Sequence, residues 1–375
     1  MALEGDFPAA RALSLTSYVD GREYHALQDT DIAPLPGAVN PFVALAANQA
    51  DDEPSASMAY RVHVVAGPKP ETAAANTLYV EPGAEGEVVV IYRIYLPSDE
   101  AFDDAELPPE VRVDGLGGEQ ACAQLNAQLK PPAGELISVA QYSALRGMPS
   151  PASNPPRFRA AFNPQVNLLC AFAGQAEHCR DGDRPPRLDG LYATSHNQYA
   201  YTHLDRGLGP VVVLYGRLPR TPSNTPKGTP LEMRYWSLCQ SEFFSLTVAD
   251  CLHDGQLHLD QDDHYVVVTS LPEDRPANAS AECGVNYLAW PQHGDGFGVA
   301  APLGQDDPER GFVVMRNLLT APDFAHAIYR TERQGDEADV MGEYLPQARY
   351  LERGVFESLV GCEGAPYQAL SAQLR

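Results

Sequence analysis

The same ordered set of strand-like segments occurs twice in this chain of 375 residues. The first set comprises residues 11–18, 60–65, 76–80 and 88–97, and the second comprises residues 234–241, 265–269, 285–288 and 312–319. A turn sequence also occurs in each set, at 20–21 and at 253–255. A matching order at a long period favours a duplicated β module over chance similarity of single strands.

The repeated segments predict a fold that is mainly β, because they are rich in Val, Ile and Tyr and are separated by Gly and Pro turns. We predict two antiparallel β-sandwich modules, jelly-roll-like, with short helices between them and at the C-terminus. The predicted domains are 1–115 (first β-sandwich module), 116–156 (helical segment and Pro-rich linker), 157–330 (a partial β unit plus the second module) and 331–375 (C-terminal helical extension). Segments 88–95 and 312–319 are the most continuously apolar of their modules, so we expect them to hold equivalent, central places.

The charge balance excludes several classes of partner. The chain has 26 basic and 50 acidic side chains, which gives a formal net charge of −24. A field of that sign repels nucleic acid and anionic membranes. No stretch approaches the roughly 20 apolar residues of a membrane-spanning helix, so we expect neither nucleic-acid binding nor a membrane span. The sequence does not specify an oligomeric state.

Seven cysteines are many for a cytosolic protein and few for a disulfide scaffold. Cys170 and Cys179 flank a short loop, and Cys239 and Cys251 flank an expected β connection. Neither pair has CxxC spacing, which favours two structural disulfides of about 3 kcal/mol each. Small buried thiols are the alternative. Cys122 lies among Ala and Leu in a predicted helix and is expected to be a buried free thiol.

Scattered short matches connect the chain to a known group of proteins. They lie at residues 10–21, 37–42, 76–79, 196–199, 209–213 and 234–239. These segments resemble bacterial, largely actinobacterial, envelope or secreted proteins, which are similar in turn to the paired domains of unknown function numbered twelve fifty-four and twelve fourteen. The resemblance implies β-sandwich domains and export, and it supplies no established catalytic residues. Residues 1–7 lack the basic and apolar regions of a signal peptide, so we expect a natural signal peptide to be missing ahead of residue 1 and the protein to be extracytoplasmic or secreted.

One predicted strand has the polarity of a ligand-binding face. Its alternate residues are Asn197, Tyr199, Tyr201, His203 and Asp205. An extended strand places all five on one face. The tyrosines offer flat, hydrogen-bonding surface to a sugar or another polar ligand, and His203 with Asp205 suits an acid–base pair. A solvated strand face with cross-strand tyrosine packing is the alternative.

A second group of polar side chains has the composition of a metal site. Three His and four Asp residues occur within 253–264. The carboxylates of Asp260, Asp262 and Asp263 suit Ca²⁺, whereas His258 with His264 suits Zn²⁺. The spacing matches neither an EF-hand nor HExxH, and a solvated acidic hairpin tip is the alternative. We predict no cofactor, with calcium as the ion that this group would best accommodate.

Reaction motifs do not decide the function, because the sequence has no GxSxG elbow, no Walker A loop and no CxxC pair. The leading hypothesis is an exported β-sandwich protein that binds a polar small molecule, a glycan or an envelope partner. One alternative is a hydrolase with an acid–base site between the two modules, using His203 and Asp205. Another is a structural subunit of a surface assembly, for which an exposed apolar patch is expected.

Overall fold

The chain is mainly β, as predicted. The computed structural model describes residues 1–49, 57–84, 86, 88–98, 109–112, 139–163, 166–167, 170–171, 178–187, 192–294, 306–362 and 366–373. The described strands are β1 (Ala2–Asp6), β2 (Ala10–Val19), β3 (Arg22–Gln28), β4 (Ala59–Ala66), β5 (Thr77–Val80), β6 (Val89–Pro97), β7 (Glu110–Arg112), β8 (Arg159–Ala160), β9 (Asn197–Asp205), β10 (Val211–Arg217), β11 (Met233–Glu242), β12 (Val248–His253), β13 (His264–Ser270), β14 (Asn286–Ala289), β15 (Arg310–Thr320) and β16 (Gln347–Leu351). The described α-helices are α1 (Pro41–Ala46), α2 (Val139–Arg146), α3 (Glu337–Met341), α4 (Arg353–Leu359) and α5 (Pro366–Gln373), and several one-turn 3-10 helices connect the strands. None of these helices is long and apolar enough to cross a membrane.

The chain divides into two compact units, and the described strands form two sheets in each. The first unit consists of Met1–Gly134, Leu188–His196 and Thr225–Arg234, and the second of Glu135–Arg187, Asn197–Asn224 and Tyr235–Arg375. The first unit has sheets of order β5-β4-β1-β7 and β3-β2-β6, and the second has sheets of order β14-β13-β10-β16 and β12-β11-β15-β9-β8. The stretch 331–375, expected to be a helical extension, contains strand β16 besides α3, α4 and α5.

The first unit is a sandwich because its two sheets share one core. Leu13 and Leu15 of β2 belong to the same buried cluster as Val62 and Val64 of β4, which lies in the other sheet. Burial alternates along β4, as expected of a strand with one face on the core and one face toward solvent.

The second unit is packed on both faces of its four-stranded sheet. The rings of Trp236 in β11 and Tyr265 in β13 lie 5.2 Å apart and join the two sheets. On the opposite face, Phe356 of α4 and Leu370 of α5 pack in one cluster with Val213 of β10. Double coverage accounts for the apolar sequence of β10, because the first six of its seven residues are buried and only Arg217 at its end is partly exposed.

The strand pairing repeats from one unit to the other. Strands β1 to β7 correspond in order to β10 to β16, and the parallel pair β4–β5 recurs as the parallel pair β13–β14. Strand β6 adjoins β2 as β15 adjoins β11, so the two most apolar segments hold equivalent places. Only β15 is central, since β6 is the outermost described strand of its sheet. Strands β8 and β9 extend the sheet beyond β15 and have no counterpart among the described strands of the first unit.

The repeat extends to single side chains. Asn76 before β5 accepts a hydrogen bond from the backbone N–H of Ala33 at 2.7 Å and donates to the Ala33 carbonyl at 2.7 Å. Asn286 at the start of β14 makes the same pair of bonds with His258, at 2.8 and 3.1 Å. Each amide also donates to a carbonyl of the adjacent strand. Asn76 thus holds the loop before β4 to the parallel pair β4–β5. Asn286 holds the loop before β13 to the parallel pair β13–β14 in the same way.

The turn correspondence expected from the sequence is wrong. Residues 20–21 form the β2–β3 hairpin turn, in which Asp20 and Gly21 have φ of 49° and 76°. The counterpart of 253–255 is instead the turn after β3. The Asp29 carboxylate accepts from the Leu13 backbone N–H at 3.0 Å, as Asp254 accepts from Trp236 at 3.4 Å. In both turns a buried aspartate carboxylate accepts a hydrogen bond from a backbone N–H. The Asp-Gly sequence does not indicate this role.

Three disulfides are present. The expected pairs Cys170–Cys179 and Cys239–Cys251 are both formed, the second between directly opposed positions of β11 and β12. A third, Cys283–Cys362, joins residues 79 apart in sequence. Cys122, the predicted free thiol, lies outside the described residues.

Titration of denatured, non-reduced protein is expected to find one free thiol per chain, because three disulfides consume six of the seven cysteines. The same protein after full reduction provides the control and should give all seven. A value of three or more in the non-reduced sample would contradict at least one of these pairs.

Candidate ligand-binding site

Strand β9 is held between β15 and β8. Across the β9–β15 ladder, His203 opposes Phe312 and Tyr199 opposes Arg316. Because side chains alternate along a strand, Asn197, Tyr199, Tyr201, His203 and Asp205 lie on the same face of the sheet. Phe312 and Arg316, which oppose His203 and Tyr199, lie on this face as well.

Aromatic rings surround His203. Its imidazole lies 5.4 Å from the ring of Tyr201, 5.2 Å from Phe243 and 5.2 Å from Phe312, measured between ring centroids. Burial among these rings lowers the pKa of His203 to about 4. The imidazole is therefore neutral at pH 7, with one ring nitrogen as donor and the other as acceptor.

The remaining residues of the β9 face have structural contacts. Asn197 donates to the Tyr199 hydroxyl at 2.7 Å, and the guanidinium of Arg316 lies 5.4 Å from the Tyr199 ring. Asp205 caps the next turn by accepting from the Gly207 backbone N–H at 2.9 Å. The described contacts include no hydrogen bond between Asp205 and His203, and these two side chains line different cavities. The structure does not join them as an acid–base pair.

A cavity of about 250 Å³ opens beside β8 and β9. We call it the β8–β9 pocket and define it by Ser153, Arg157, Arg159, Tyr201, His203 and the Cys170–Cys179 disulfide. Within the described part of the chain, neither the Tyr201 hydroxyl nor the His203 ring nitrogens have a hydrogen-bond partner. Polar atoms with unused hydrogen-bonding capacity thus border a cavity, an arrangement that suits a polar ligand.

Two arginines of the pocket share one carboxylate. Arg159 forms an ion pair with Asp181, and Arg157 Nη2 lies 3.5 Å from the other oxygen of that carboxylate. The hydrogen bond from Arg159 lowers the pKa of Asp181, which is therefore ionised at neutral pH. The three side chains together carry one net positive charge.

The predicted metal group builds a turn. One carboxylate oxygen of Asp260 accepts from the backbone N–H groups of Asp262 and His264, each at 2.9 Å, while the other lies 3.3 Å from His264 Nδ1. Asp263 accepts from Asn224 at 3.2 Å. The described residues contain no group of three or more His, Cys, Asp or Glu side chains placed to hold a metal ion. His258 is fastened through its backbone to Asn286, and calcium binding by this turn stays a prediction.

Comparison with known proteins does not supply a function. No family model and no curated protein matches the chain. The chain is similar to the crystal structure of an uncharacterized protein from Burkholderia cenocepacia, with 11% identity and a TM-score of 0.47 over 94% of this chain and 73% of that one. It is also similar to the VPA0106 protein from Vibrio parahaemolyticus, with 12% identity and a TM-score of 0.37 over 93% of this chain and 85% of that one. Neither similarity assigns an activity.

Proposed function

We propose that this protein is exported and binds a small polar molecule or a saccharide unit in the β8–β9 pocket. The observation that carries the proposal is that the Tyr201 hydroxyl and the His203 imidazole, which have no hydrogen-bond partner among the described residues, lie at the edge of a cavity. Among the described strands, only the second unit has strands in the positions of β8 and β9, which border the pocket.

The disulfides indicate an oxidizing, extracytoplasmic environment, because such bonds form and persist outside the reducing cytosol. One of them, Cys170–Cys179, borders the pocket. A secreted or envelope location follows naturally from this chemistry and forms part of the proposal.

The cavity favours a small ligand. Pockets for drug-sized molecules span roughly 300–1,000 Å³, whereas this one has about 250 Å³. A single sugar ring is of suitable size and carries hydroxyl groups that both donate and accept hydrogen bonds. Neutral His203 and Tyr201 can each serve as donor and acceptor toward such groups.

Binding is better supported than hydrolysis. An acid–base mechanism needs a histidine oriented by a partner at hydrogen-bond distance. In the described structure the neighbours of His203 are aromatic rings, and Asp205 is engaged in capping a turn. The pocket therefore provides recognition groups without an oriented catalytic pair.

A panel of neutral and charged monosaccharides tested by thermal shift and ligand-observed NMR is expected to include at least one ligand. Tyr201→Phe should weaken its binding about two- to tenfold, because a neutral hydrogen bond is worth about 0.5–1.5 kcal/mol. Tyr199→Phe is the matched control, since it removes a hydroxyl from the same strand face outside the pocket. Failure of folded protein to bind any member of the panel, or equal effects of the two substitutions, would overturn the proposal.

A further inference from the structure

We infer that the ligand of the β8–β9 pocket bears a carboxylate, and that it is a hexuronate or a hexuronate unit of an acidic glycan held by Arg157 and Arg159. This inference rests on the proposed function and specifies its ligand class. The two arginines bind the carboxylate of the ligand, and Tyr201 and His203 bind its sugar hydroxyls.

The pocket is lined by positive charge, although the chain as a whole is negatively charged. The sequence has 50 acidic and 26 basic side chains, yet the described residues that line the cavity include two arginines and no Asp or Glu. A concave surface of one sign concentrates ligands of the opposite sign. The net negative charge of the chain does not attract anions from a distance. An anion bound in the positive pocket must therefore be held by direct contacts with the arginines.

The two guanidinium groups have capacity for a second carboxylate. Each guanidinium has five N–H donors, and the described contacts to Asp181 use one nitrogen of each. The side chains of Arg157 and Arg159 are 54% and 25% exposed, so a ligand can reach both. A planar guanidinium matches the geometry of a carboxylate through paired hydrogen bonds.

The other pocket groups complement the rest of a sugar acid. The Tyr201 hydroxyl and the His203 nitrogens are uncharged and lack protein partners within the described residues. Because the imidazole is neutral, it recognises hydroxyl groups and does not compete with the arginines for the carboxylate. One charged end and one hydroxyl-binding end are what a hexuronate, with a carboxylate on a polyhydroxylated ring, requires.

The test compares ligands that differ at one carbon. Binding of glucuronate and glucose, and of galacturonate and galactose, is measured by isothermal titration calorimetry and ligand-observed NMR. We expect a hexuronate to bind at least about tenfold more tightly than its neutral hexose, because charge-assisted bonds to arginine are the stronger class. Raising the salt from about 50 mM to about 500 mM should narrow the difference.

Arg159→Gln should weaken hexuronate binding about tenfold or more and leave neutral hexose binding within about twofold. Arg157→Gln provides a second test, because it leaves the Arg159–Asp181 ion pair in place. Arg184→Gln is the matched control, since Arg184 is 60% exposed, pairs with Glu332 at 2.9 Å and lies outside the pocket lining. Circular dichroism verifies that each variant is folded.

The outcomes separate this inference from the proposed function. If hexuronates and hexoses bind equally well and neither pocket variant differs from Arg184→Gln, the inference is overturned while ligand binding stands. A hexuronate preference that survives both pocket substitutions overturns the assignment to these arginines. If the folded protein binds no monosaccharide of any charge, both proposals are overturned.

Discussion

Replacing Arg234 with methionine is expected to lower the free energy of unfolding by about 3–5 kcal/mol, the cost of breaking a buried ion pair from one side. Arg234 is 5% exposed and Asp29 is fully buried, and their Nη2 and Oδ2 atoms lie 2.7 Å apart. The substitution leaves the Asp29 carboxylate without its charge partner. Burial already raises the pKa of Asp29 against the opposing effect of Arg234, so loss of the guanidinium leaves only the backbone N–H groups of Leu13 and Thr30 to oppose desolvation.

The buried pair also organises the backbone around it. Arg234 donates to the carbonyl oxygens of Arg11 at 3.2 Å and Phe42 at 3.4 Å. Asp29 accepts from the Leu13 backbone N–H at 3.0 Å. Methionine fills a similar volume but makes none of these hydrogen bonds, and buried acceptors without donors are costly.

Urea unfolding followed by circular dichroism measures the effect. The Asp29→Asn, Arg234→Met double variant should recover part of the loss, because it removes the uncompensated charge. Arg353→Met is the control, since Arg353 and Glu357 form an exposed pair at 3.0 Å and such pairs contribute at most about 1 kcal/mol. A cost for Arg234→Met no greater than that of Arg353→Met would contradict the expected role of the buried pair.

Acidification should destabilise the wild-type protein more than a His203→Gln variant, by up to about 3 kcal/mol at pH 4. Burial lowers the pKa of His203 from 6.5 to about 4 in the folded chain. Between these two values the unfolded chain binds a proton that the folded chain excludes, so stability falls as the pH falls. Above pH 6.5 both states are neutral and this contribution to the pH dependence disappears. The pocket admits water to part of the ring, which makes the full pKa difference an upper limit.

Urea midpoints measured from about pH 7 to about pH 4.5 provide the comparison. Burial also lowers the pKa of His25 and His196, so wild type and variant share an acid-sensitive background. The informative quantity is the difference between the two stability profiles, which should widen below pH 6.5. Parallel profiles over the whole range would show that His203 does not carry this proton linkage.

The sequence revealed the features that depend on local pattern. Period-two alternation placed Tyr201 and His203 on one face of β9, and apolar runs identified β6 and β15 as equivalent strands. The Cys239–Cys251 pair was predictable because the two cysteines flank a single β connection.

Features created by contacts distant in sequence were not predictable in the same way. Strand β8 has only two residues, so no periodicity could mark Arg159 as a pocket residue. Cys283 and Cys362 are 79 residues apart, and no local signal joins them. Composition made Asp260 a candidate metal ligand, but it could not show that this carboxylate also accepts the backbone N–H groups of Asp262 and His264.

The Cys283–Cys362 bond closes a covalent ring that includes β14, β15 and β16. A protease cut inside this ring leaves both products connected, so the chain keeps its full mass on a non-reducing gel. The ring also limits extension under mechanical load. The two cysteines are 79 residues apart, and at roughly 3.3–3.6 Å per residue this segment would extend to about 26–28 nm when fully stretched. The disulfide prevents that extension until it is reduced. The bond therefore keeps the chain continuous after a single backbone cut between Cys283 and Cys362.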